Sequence, residues 1–220
     1  MNLMPGSAQA LARAIDAEIR ALPVRNTPNI RAIRREHSKH LQQADPALVL
    51  ALARELLQND GQRWVAYELI AHHEGAYQRL SEDELEELGQ GIDGWSSVDS
   101  FARILAGPAW RDGLVADDLI HRWAHDRDRW WRRAALVSTV ALNVRSHGGT
   151  GDTPRTLVVC RLLAGDRDDM VVKALSWALR ELVVHDPGAV EAFLEEYDAV
   201  LAARVKREVR NKLETGLKNP

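Results

Sequence analysis

Cysteine is almost absent from this chain of 220 residues, which contains Cys160 alone. A single cysteine excludes an internal disulfide and a cysteine-based metal site, and it is typical of proteins in a reducing cytosol. Long apolar runs are also missing, since none approaches the roughly 18 residues of a membrane-spanning helix. The N-terminus lacks the basic-then-apolar pattern of a signal peptide. We therefore expect a cytoplasmic protein, in the bacterial cytosol or nucleoid, without membrane contact.

Strand patterns are absent as well, because no segment alternates apolar and polar residues convincingly. Apolar residues recur instead with a spacing near 3.6. Several predicted helix starts combine a capping residue with proline: Thr27-Pro28, Asp45-Pro46, Thr153-Pro154 and Asp186-Pro187. Ser81 begins another predicted helix with a capping box, and glycines predict helix ends at Gly61, at Gly107-Pro108 and in the loop 147–152.

This pattern predicts an all-α fold in which antiparallel helix pairs stack into an α-solenoid. The loops are short and heptads are missing, which favours stacked pairs over a four-helix bundle. Repeats of the HEAT type, of about 40–47 residues, fit the chain length. We expect residues 1–220 to form a single HEAT-like domain, with about six residues frayed at the start and about four at the end.

An excess of positive charge is also missing, since the formal net charge is −3. Residues 11–40 nevertheless hold seven Lys and Arg against three acids, whereas residues 41–126 hold six against sixteen. The last twenty residues are basic again. Basic ends around an acidic middle fit a curved protein with a concave basic DNA-binding face, because binding depends on the local field. The acidic middle equally fits a HEAT-type scaffold that binds other proteins.

Three short segments place tryptophan or arginine where an ordinary small domain has little need of them. Trp95 and Asp99 are four residues apart, so on a helix they lie on one face, while Val98 and Phe101 point towards the core. Most such pairs are structural, with the aromatic at the edge of the core and the carboxylate in solvent. A ligand site is the other interpretation.

The second segment surrounds Trp177. Lys173, Trp177 and Arg180 share a helical arc of about 60°, away from the apolar stripe that includes Ala174 and Ala178. A tryptophan between two cations is either an interface residue or a platform on which a ligand stacks.

Arg133, unlike Trp177, lies on the core face of its predicted helix. It begins an apolar stripe, so the aliphatic part of its side chain should point inward. A buried guanidinium needs a carboxylate or a phosphate as its partner. Arg133 is therefore either half of a structural ion pair or a phosphate contact, and Arg129, one turn earlier, slightly favours the phosphate. Lys206 and Arg207 belong to a basic C-terminal helix, which is either simply solvated or in contact with a phosphate backbone.

Motifs that would indicate a metal or a nucleotide cofactor are absent. His72-His73 lacks the His-Glu-x-x-His spacing of a zinc site, and the loop 148–153 lacks the lysine of a phosphate-binding loop, so we interpret it as a linker. No Gly-x-Ser-x-Gly elbow occurs. We expect no metal and no cofactor, and since nothing indicates oligomerisation, we expect a monomer.

Taken together, the three segments resemble the HEAT-repeat DNA alkylation-repair glycosylases, the AlkD-like family. That family has a Trp-x-x-x-Asp motif, a Trp-x-x-Arg-Ala-Ala segment and a Lys-Ala-x-x-Trp-x-Leu-Arg-Glu segment, in this order and at similar separations. The matching positions are Trp95 and Asp99, then Trp130 with Arg133, Ala134 and Ala135, and finally the segment 173–181. The similarity spans roughly residues 25–212 and includes a basic helix near Lys206 and Arg207.

The resemblance implies hydrolysis of the N-glycosidic bond of cationic N3- or N7-alkylpurines in duplex DNA, as in base excision repair. It implies that Asp99 stabilises an oxocarbenium-like transition state and that Trp95 and Trp177 hold the lesion. Phosphates would be bound by Arg133, Lys173, Arg180, Arg129, Lys206 and Arg207. The family's N-terminal aromatic has no counterpart before Trp64, so a non-catalytic HEAT-repeat binder of damaged or distorted DNA is the alternative.

Overall fold

The computed structural model describes residues 7–58 and 63–220, so the predicted fraying of the first six residues and the helix end at Gly61 lie outside the described residues. Within these two ranges the regular structure is helical and no strand occurs, which confirms the all-α prediction. None of the described helices is long and apolar enough to cross a membrane. The chain divides into two compact units, Met1–Gln90 and Gly91–Pro220. The expected single domain over residues 1–220 stays a prediction.

The first unit is built from helices that pack on helices one or two positions away along the chain. The helices are α1 (Ala8–Ala21), α2 (Thr27–Leu41), α3 (Pro46–Gln58), α4 (Arg63–Ala71), α5 (Glu74–Tyr77) and α6 (Glu82–Gly89). Helix α3 packs against α1 and α4, and α2 packs against the same two helices.

A buried carboxylate joins α2 to α4 in this unit. Glu68, which is 6% exposed, accepts hydrogen bonds from Nε of Arg31 at 3.0 Å and from Nε of Arg34 at 2.8 Å. Two guanidinium groups are what a desolvated carboxylate requires. Part of the positive charge predicted for residues 11–40 is therefore neutralised inside the protein.

The second unit surrounds one central helix. Its helices are α7 (Trp95–Phe101), α8 (Gly107–Arg111), α9 (Asp117–Ala124), α10 (Arg129–Asn143), α11 (Thr153–Leu162), α12 (Asp169–Leu182), α13 (Pro187–Glu196) and α14 (Ala203–Thr215). A π-helical segment, Ala102–Ala106, joins α7 to α8, and a 3₁₀ turn, Arg145–His147, follows α10. Helix α10 packs against α7, α8, α9, α11 and α12, and α14 packs on α12. These packed helix pairs agree with the predicted α-solenoid architecture.

The predicted helix starts are confirmed, although the capping residue lies one position earlier in two of them. A side-chain oxygen accepts a backbone hydrogen bond in the first turn at Asp45, Ser81 and Asp186. Asn26 rather than Thr27 caps α2, and Asp152 rather than Thr153 caps α11. In both cases the residue before the threonine supplies the oxygen that accepts a backbone N–H at the third position along.

The chain stays helical through Gly107-Pro108, so the predicted helix end there is wrong. The N–H of Gly107 donates to the carbonyl of Ala102, five residues earlier, which is the hydrogen bond of a π-helix. A Cβ atom on Gly107 would lie 2.6 Å from the carbonyl oxygen of Ser138 and 2.7 Å from Cβ of Ala141. The glycine is therefore required by close packing on α10 and does not mark a helix end.

We expect Gly107→Ala to lower the free energy of unfolding by about 1–3 kcal/mol, because the added methyl group forces apart two helices that are in contact. Denaturant unfolding followed by circular dichroism measures this change. Gly188→Ala in α13 is the matched control, since a Cβ there meets nothing within 4 Å. It should leave stability unchanged or raise it slightly. Equal midpoints for the two variants would contradict the close approach.

Candidate active site

Helix α7 carries an exposed tryptophan and a half-buried carboxylate one turn apart. Trp95, its first residue, is 60% exposed, whereas the Asp99 side chain is 17% exposed. The intervening Val98 is fully buried, as predicted for the core face. The helix start is held by Ser97, whose Oγ donates to the carbonyl of Gly94 at 2.8 Å and accepts from its N–H at 3.2 Å. The predicted shared face of Trp95 and Asp99 thus forms at the beginning of a well-capped helix.

Asp99 is held by Arg133 in a bidentate ion pair. Nε and Nη2 of Arg133 donate to Oδ1 and Oδ2 of Asp99, both at 2.9 Å. Nη1 donates to the carbonyl of Met170 at 2.5 Å. All three nitrogens of the guanidinium are engaged, and the Arg133 side chain is only 7% exposed. The structure therefore shows the ion pair that one interpretation of Arg133 predicted, and a phosphate contact by Arg133 stays a prediction.

The packing of α10 on α7 explains this pair. Arg133 lies in the second turn of α10, whose residues from Arg133 to Asn143 are all buried. A guanidinium at that depth loses its hydration and is stabilised only by a matching acceptor. Asp99 lies 34 residues earlier in the chain and faces it from α7. The sequence predicted an acidic partner for Arg133 without identifying it, and that partner is Asp99, the candidate catalytic residue.

Burial raises the pKa of Asp99, and the hydrogen bonds and charge of Arg133, together with the charge of Arg103, oppose that rise. A desolvated carboxylate interacts more strongly with a positive charge that develops beside it, because less water screens the pair. Each carboxylate oxygen also keeps a further lone pair for a water molecule or a substrate group. The side chain is therefore oriented, poorly hydrated and still able to accept.

Trp177 is held in place from two sides. Its Nε1–H donates to Oε1 of Glu181, one turn later on α12, at 2.9 Å. The guanidinium of Arg103 lies over its ring, with the central carbon 5.5 Å from the ring centroid. Trp177 is half-buried and lies off the core face, as its spacing predicted, and the neighbours Ala174 and Ala178 are buried. One face of the predicted stacking platform is thus already covered by a cation.

Sequence reasoning missed Arg103 and left Glu181 without a role. Arg103 lies in the π-helical segment, four residues after Asp99, and its Nη2 is 3.2 Å from Nε2 of His147. The spacing from Asp99 was a usable signal, because residues four apart on a helix are neighbours. The contact with His147 was not predictable, since it joins positions 44 residues apart.

Two further predicted phosphate ligands lie at helix starts and are partly exposed. Arg129 stacks on Trp130, with its guanidinium carbon 4.8 Å from the ring centroid, and its Nη1 lies 3.4 Å from Oδ2 of Asp168. Lys173 forms an ion pair of 2.6 Å with Asp169. Exposed pairs of this kind contribute little to stability and exchange readily for another anion. A DNA contact by Arg129 or Lys173 stays a prediction.

Arg180 points into a buried polar network. Its Nε donates to Oγ of Ser176 at 3.3 Å, and that hydroxyl donates to Oε2 of the buried Glu208 at 2.6 Å. Burial lowers the pKa of Arg180, and the charges of Glu208 and Glu181 oppose the shift. These contacts join α12 to α14. The predicted phosphate contact of Arg180 is not tested by them.

The basic C-terminal helix is largely paired with acids of the same unit. Nζ of Lys206 lies 3.3 Å from Oδ2 of Asp198, and Nη2 of Arg210 lies 3.1 Å from Oδ1 of the same residue. Arg204 reaches Asp169 at 3.7 Å. Arg207, in contrast, is exposed and forms no hydrogen bond within the described residues. Of the two predicted phosphate ligands on this helix, Arg207 is the more available.

Within residues 7–58 and 63–220, no group of three or more His, Cys, Asp or Glu side chains is arranged to hold a metal ion. Cys160 is fully buried in α11, and burial raises the pKa of its thiol above the usual range. Such a thiol is a small apolar core residue and a poor nucleophile.

The chain matches a known protein family. The model of the family described as DNA alkylation repair enzyme matches residues 3–213. This range includes all of the predicted site residues. No curated protein matches the chain.

Proposed function

Because the chain belongs to the family of DNA alkylation repair enzymes, we propose that it is a monofunctional DNA glycosylase acting on cationic N3- and N7-alkylpurines in duplex DNA. The observation that carries the proposal is the position of the Asp99 carboxylate. The carboxylate is half-buried, accepts hydrogen bonds from Nε and Nη2 of Arg133, and lies one turn from the exposed Trp95. Family membership supports DNA repair, and this geometry supports the particular reaction.

The proposed reaction breaks the bond between C1′ of deoxyribose and the nitrogen of the alkylated base. The bonding electrons leave with the base, which neutralises its positive charge, so no general acid is needed. Water adds to C1′ and releases one proton, leaving an abasic site in an intact strand. Positive charge grows on the sugar in the transition state. The group that this reaction needs most is therefore an anion close to C1′.

Asp99 meets this need. Its charge attracts the developing oxocarbenium ion, and one of its oxygens accepts a hydrogen bond from the attacking water. Arg133 acts as a positioning residue, because its two hydrogen bonds fix the plane of the carboxylate and favour the ionised form. The contact between Arg133 and the carbonyl of Met170 ties this arrangement to the start of α12.

The two tryptophans supply apolar and π faces for a cationic lesion. Trp95 offers an exposed ring on the same helical face as Asp99, and Trp177 is a half-buried ring held by Glu181. A cation over an indole face is stabilised by about 0.5–2 kcal/mol, depending on how far it is desolvated. Both rings also exclude water from the sugar.

The proposed partner is double-stranded DNA, bound by a monomer through basic side chains, in the cytosol or nucleoid. The proposed phosphate ligands are Arg129, Arg133, Lys173, Arg180, Lys206 and Arg207. The proposed chemistry uses no cofactor. Phosphate contacts of this kind set affinity and register without reading sequence.

The test of this function uses duplex DNA treated with a methylating agent. Purified protein should release 7-methylguanine and 3-methyladenine, detected by chromatography, and leave one abasic site for each base released in an uncut strand. Strand cleavage in step with base release would contradict the monofunctional assignment. Binding without release would instead favour a binder of damaged or distorted DNA.

That second candidate is favoured by one contact of the site. The guanidinium of Arg103 covers one face of Trp177. The contact therefore occupies a ring face that a glycosylase would use to hold the lesion. Salt-sensitive binding to distorted duplexes, without base release, would establish this function.

The raised pKa of Asp99 predicts the pH dependence of base release. The carboxylate must be ionised, and because burial raises its pKa, activity should fall in acid at a higher pH than an ordinary aspartate would give. Arg103 opposes this rise, so Arg103→Gln should move the acid limb to still higher pH. The measurement is single-turnover release at subsaturating protein, corrected for uncatalysed loss, since this regime reports the free protein. A shift to lower pH in the variant would contradict the assignment.

A further inference from the structure

Arg103 is an exposed arginine whose two side-chain partners are aromatic rings, the imidazole of His147 and the indole of Trp177. Its Nη2 lies 3.2 Å from Nε2 of His147, and its guanidinium carbon lies 5.5 Å from the centroid of Trp177. No carboxylate within the described residues lies close enough to Arg103 to form an ion pair, although its charge acts on Asp99. This contrasts with Arg132 and Arg155 of the same unit, each of which has an aspartate at 2.7 Å or less.

The contact between Arg103 and His147 is a weak substitute for an anion. Because the guanidinium can only donate, Nε2 of His147 is the acceptor of this hydrogen bond. An imidazole nitrogen on an exposed loop binds a guanidinium less tightly than a charged oxygen does. Four of the five N–H donors of Arg103 are left over after this hydrogen bond. A planar, bidentate oxyanion would use them better.

Both ends of this contact are positioned by rigid neighbours. Trp177 supports the flat face of the guanidinium, and its own Nε1–H is fixed by Glu181. His147 ends the 3₁₀ turn after α10, and its carbonyl accepts a hydrogen bond of 2.5 Å from Nη1 of Arg111. His147 directly precedes the loop 148–153, interpreted from sequence as a linker, so this loop begins beside the site.

We propose that Arg103 binds one phosphodiester of the DNA strand beside the proposed lesion site and leaves His147 when it does so. The identity of the ligand as DNA rests on the proposed function. Arg133 is less suited to this contact, because its side chain is only 7% exposed and three of its five N–H donors already have partners. Arg103 lies over Trp177 and is near enough for its charge to act on Asp99, so a phosphate bound by Arg103 lies beside the proposed lesion site. Neutralising Arg103 in this way also removes its repulsion of a cationic lesion on Trp177.

The experiment is a thermodynamic cycle between the side chain and the phosphate. The probe is a duplex with a tetrahydrofuran abasic analogue, which has no base to release. A neutral methylphosphonate replaces each phosphate in turn on either side of the analogue. Wild-type affinity should fall about tenfold or more at one or two positions, the loss typical of a charged hydrogen bond. Arg103→Gln should bind the all-phosphate duplex about tenfold more weakly and lose its sensitivity at those same positions.

Two further variants separate this contact from a general effect of charge. His147→Asp offers Arg103 a carboxylate, so it should bind DNA as weakly as Arg103→Gln while keeping the guanidinium near Trp177. Arg161→Gln removes an exposed arginine of α11 and should keep the wild-type pattern of methylphosphonate sensitivity. The inference would be overturned if the losses of binding free energy caused by Arg103→Gln and by each methylphosphonate were additive.

Base release from methylated DNA is measured separately with the wild-type protein. Release without any coupling between Arg103 and a phosphate overturns the inference and leaves the glycosylase proposal standing. Coupling without release supports the inference and removes the glycosylase. A wild-type protein that does not bind the duplex overturns both.

Discussion

Asp99→Asn should slow release of 7-methylguanine by about 10²–10³-fold, which corresponds to the roughly 3–4 kcal/mol that one well-placed charge contributes to a cationic transition state. Asparagine has the shape of aspartate but not its charge, so the tryptophans and the phosphate ligands keep their places. Affinity for duplex DNA should change little. The measurement is single-turnover release at saturating protein, with binding followed by fluorescence anisotropy on the same duplex.

The substitution also affects the fold, so it needs a control on stability. Asparagine leaves the buried guanidinium of Arg133 with a neutral acceptor in place of its ion pair. Release is therefore compared only at temperatures well below the unfolding midpoint of the variant. Asp93→Asn is the matched control, because Asp93 is exposed and precedes α7 by two residues. Its activity should equal that of the wild type. Release by Asp99→Asn within about threefold of the wild type would remove Asp99 from the chemistry.

Arg133→Met should destabilise the second unit by about 3 kcal/mol or more, because it leaves the half-buried carboxylate of Asp99 without its partner. The same change should abolish base release near neutral pH. Arg133 holds the pKa of Asp99 down against burial, so without it the carboxyl group protonates more readily and turns freely. Residual activity of this variant should therefore rise with pH.

The double variant with Asp99→Asn and Arg133→Met separates the two effects. It should be more stable than Arg133→Met alone, because a neutral amide beside methionine leaves no unpaired charge in the interior. It should remain inactive at every pH. Chemical denaturation of the four proteins gives the coupling energy. Strictly additive stability changes would contradict the ion pair, and a double variant that regains activity would contradict the role of Asp99.

Local sequence patterns were sufficient to predict the helices and the faces they bury. Capping residues such as Asp45 and Asp186 and the apolar spacing around Trp177 are properties of single segments, so their consequences did not depend on the tertiary fold. The inward stem of Arg133 was predictable for the same reason. Its partner was not, because the acidic middle of the chain offers many carboxylates and spacing alone does not choose Asp99 among them.

The remaining features of the site depend on tertiary packing. The π-helical segment keeps α7 and α8 continuous through Gly107, where composition indicates a helix end, and it carries Arg103. Whether a glycine ends a helix or allows two helices to touch depends on what lies opposite, here Ser138 and Ala141 of α10. Predicted phosphate ligands such as Lys173 form ion pairs with acidic side chains of the protein itself. These pairs were not predicted, because the sequence does not show which charges pair on folding.

We propose that this site hydrolyses the glycosidic bond of cationic alkylpurines. The time course of 7-methylguanine release from a methylated duplex, with purified wild-type protein in excess over lesions, tests this reaction. We expect a single exponential that far outpaces spontaneous loss, and a rate near the spontaneous one when Asp99→Asn is bound to the same duplex. Wild-type protein that is bound to the lesion-containing duplex but releases base no faster than free DNA would rule out the proposed hydrolysis.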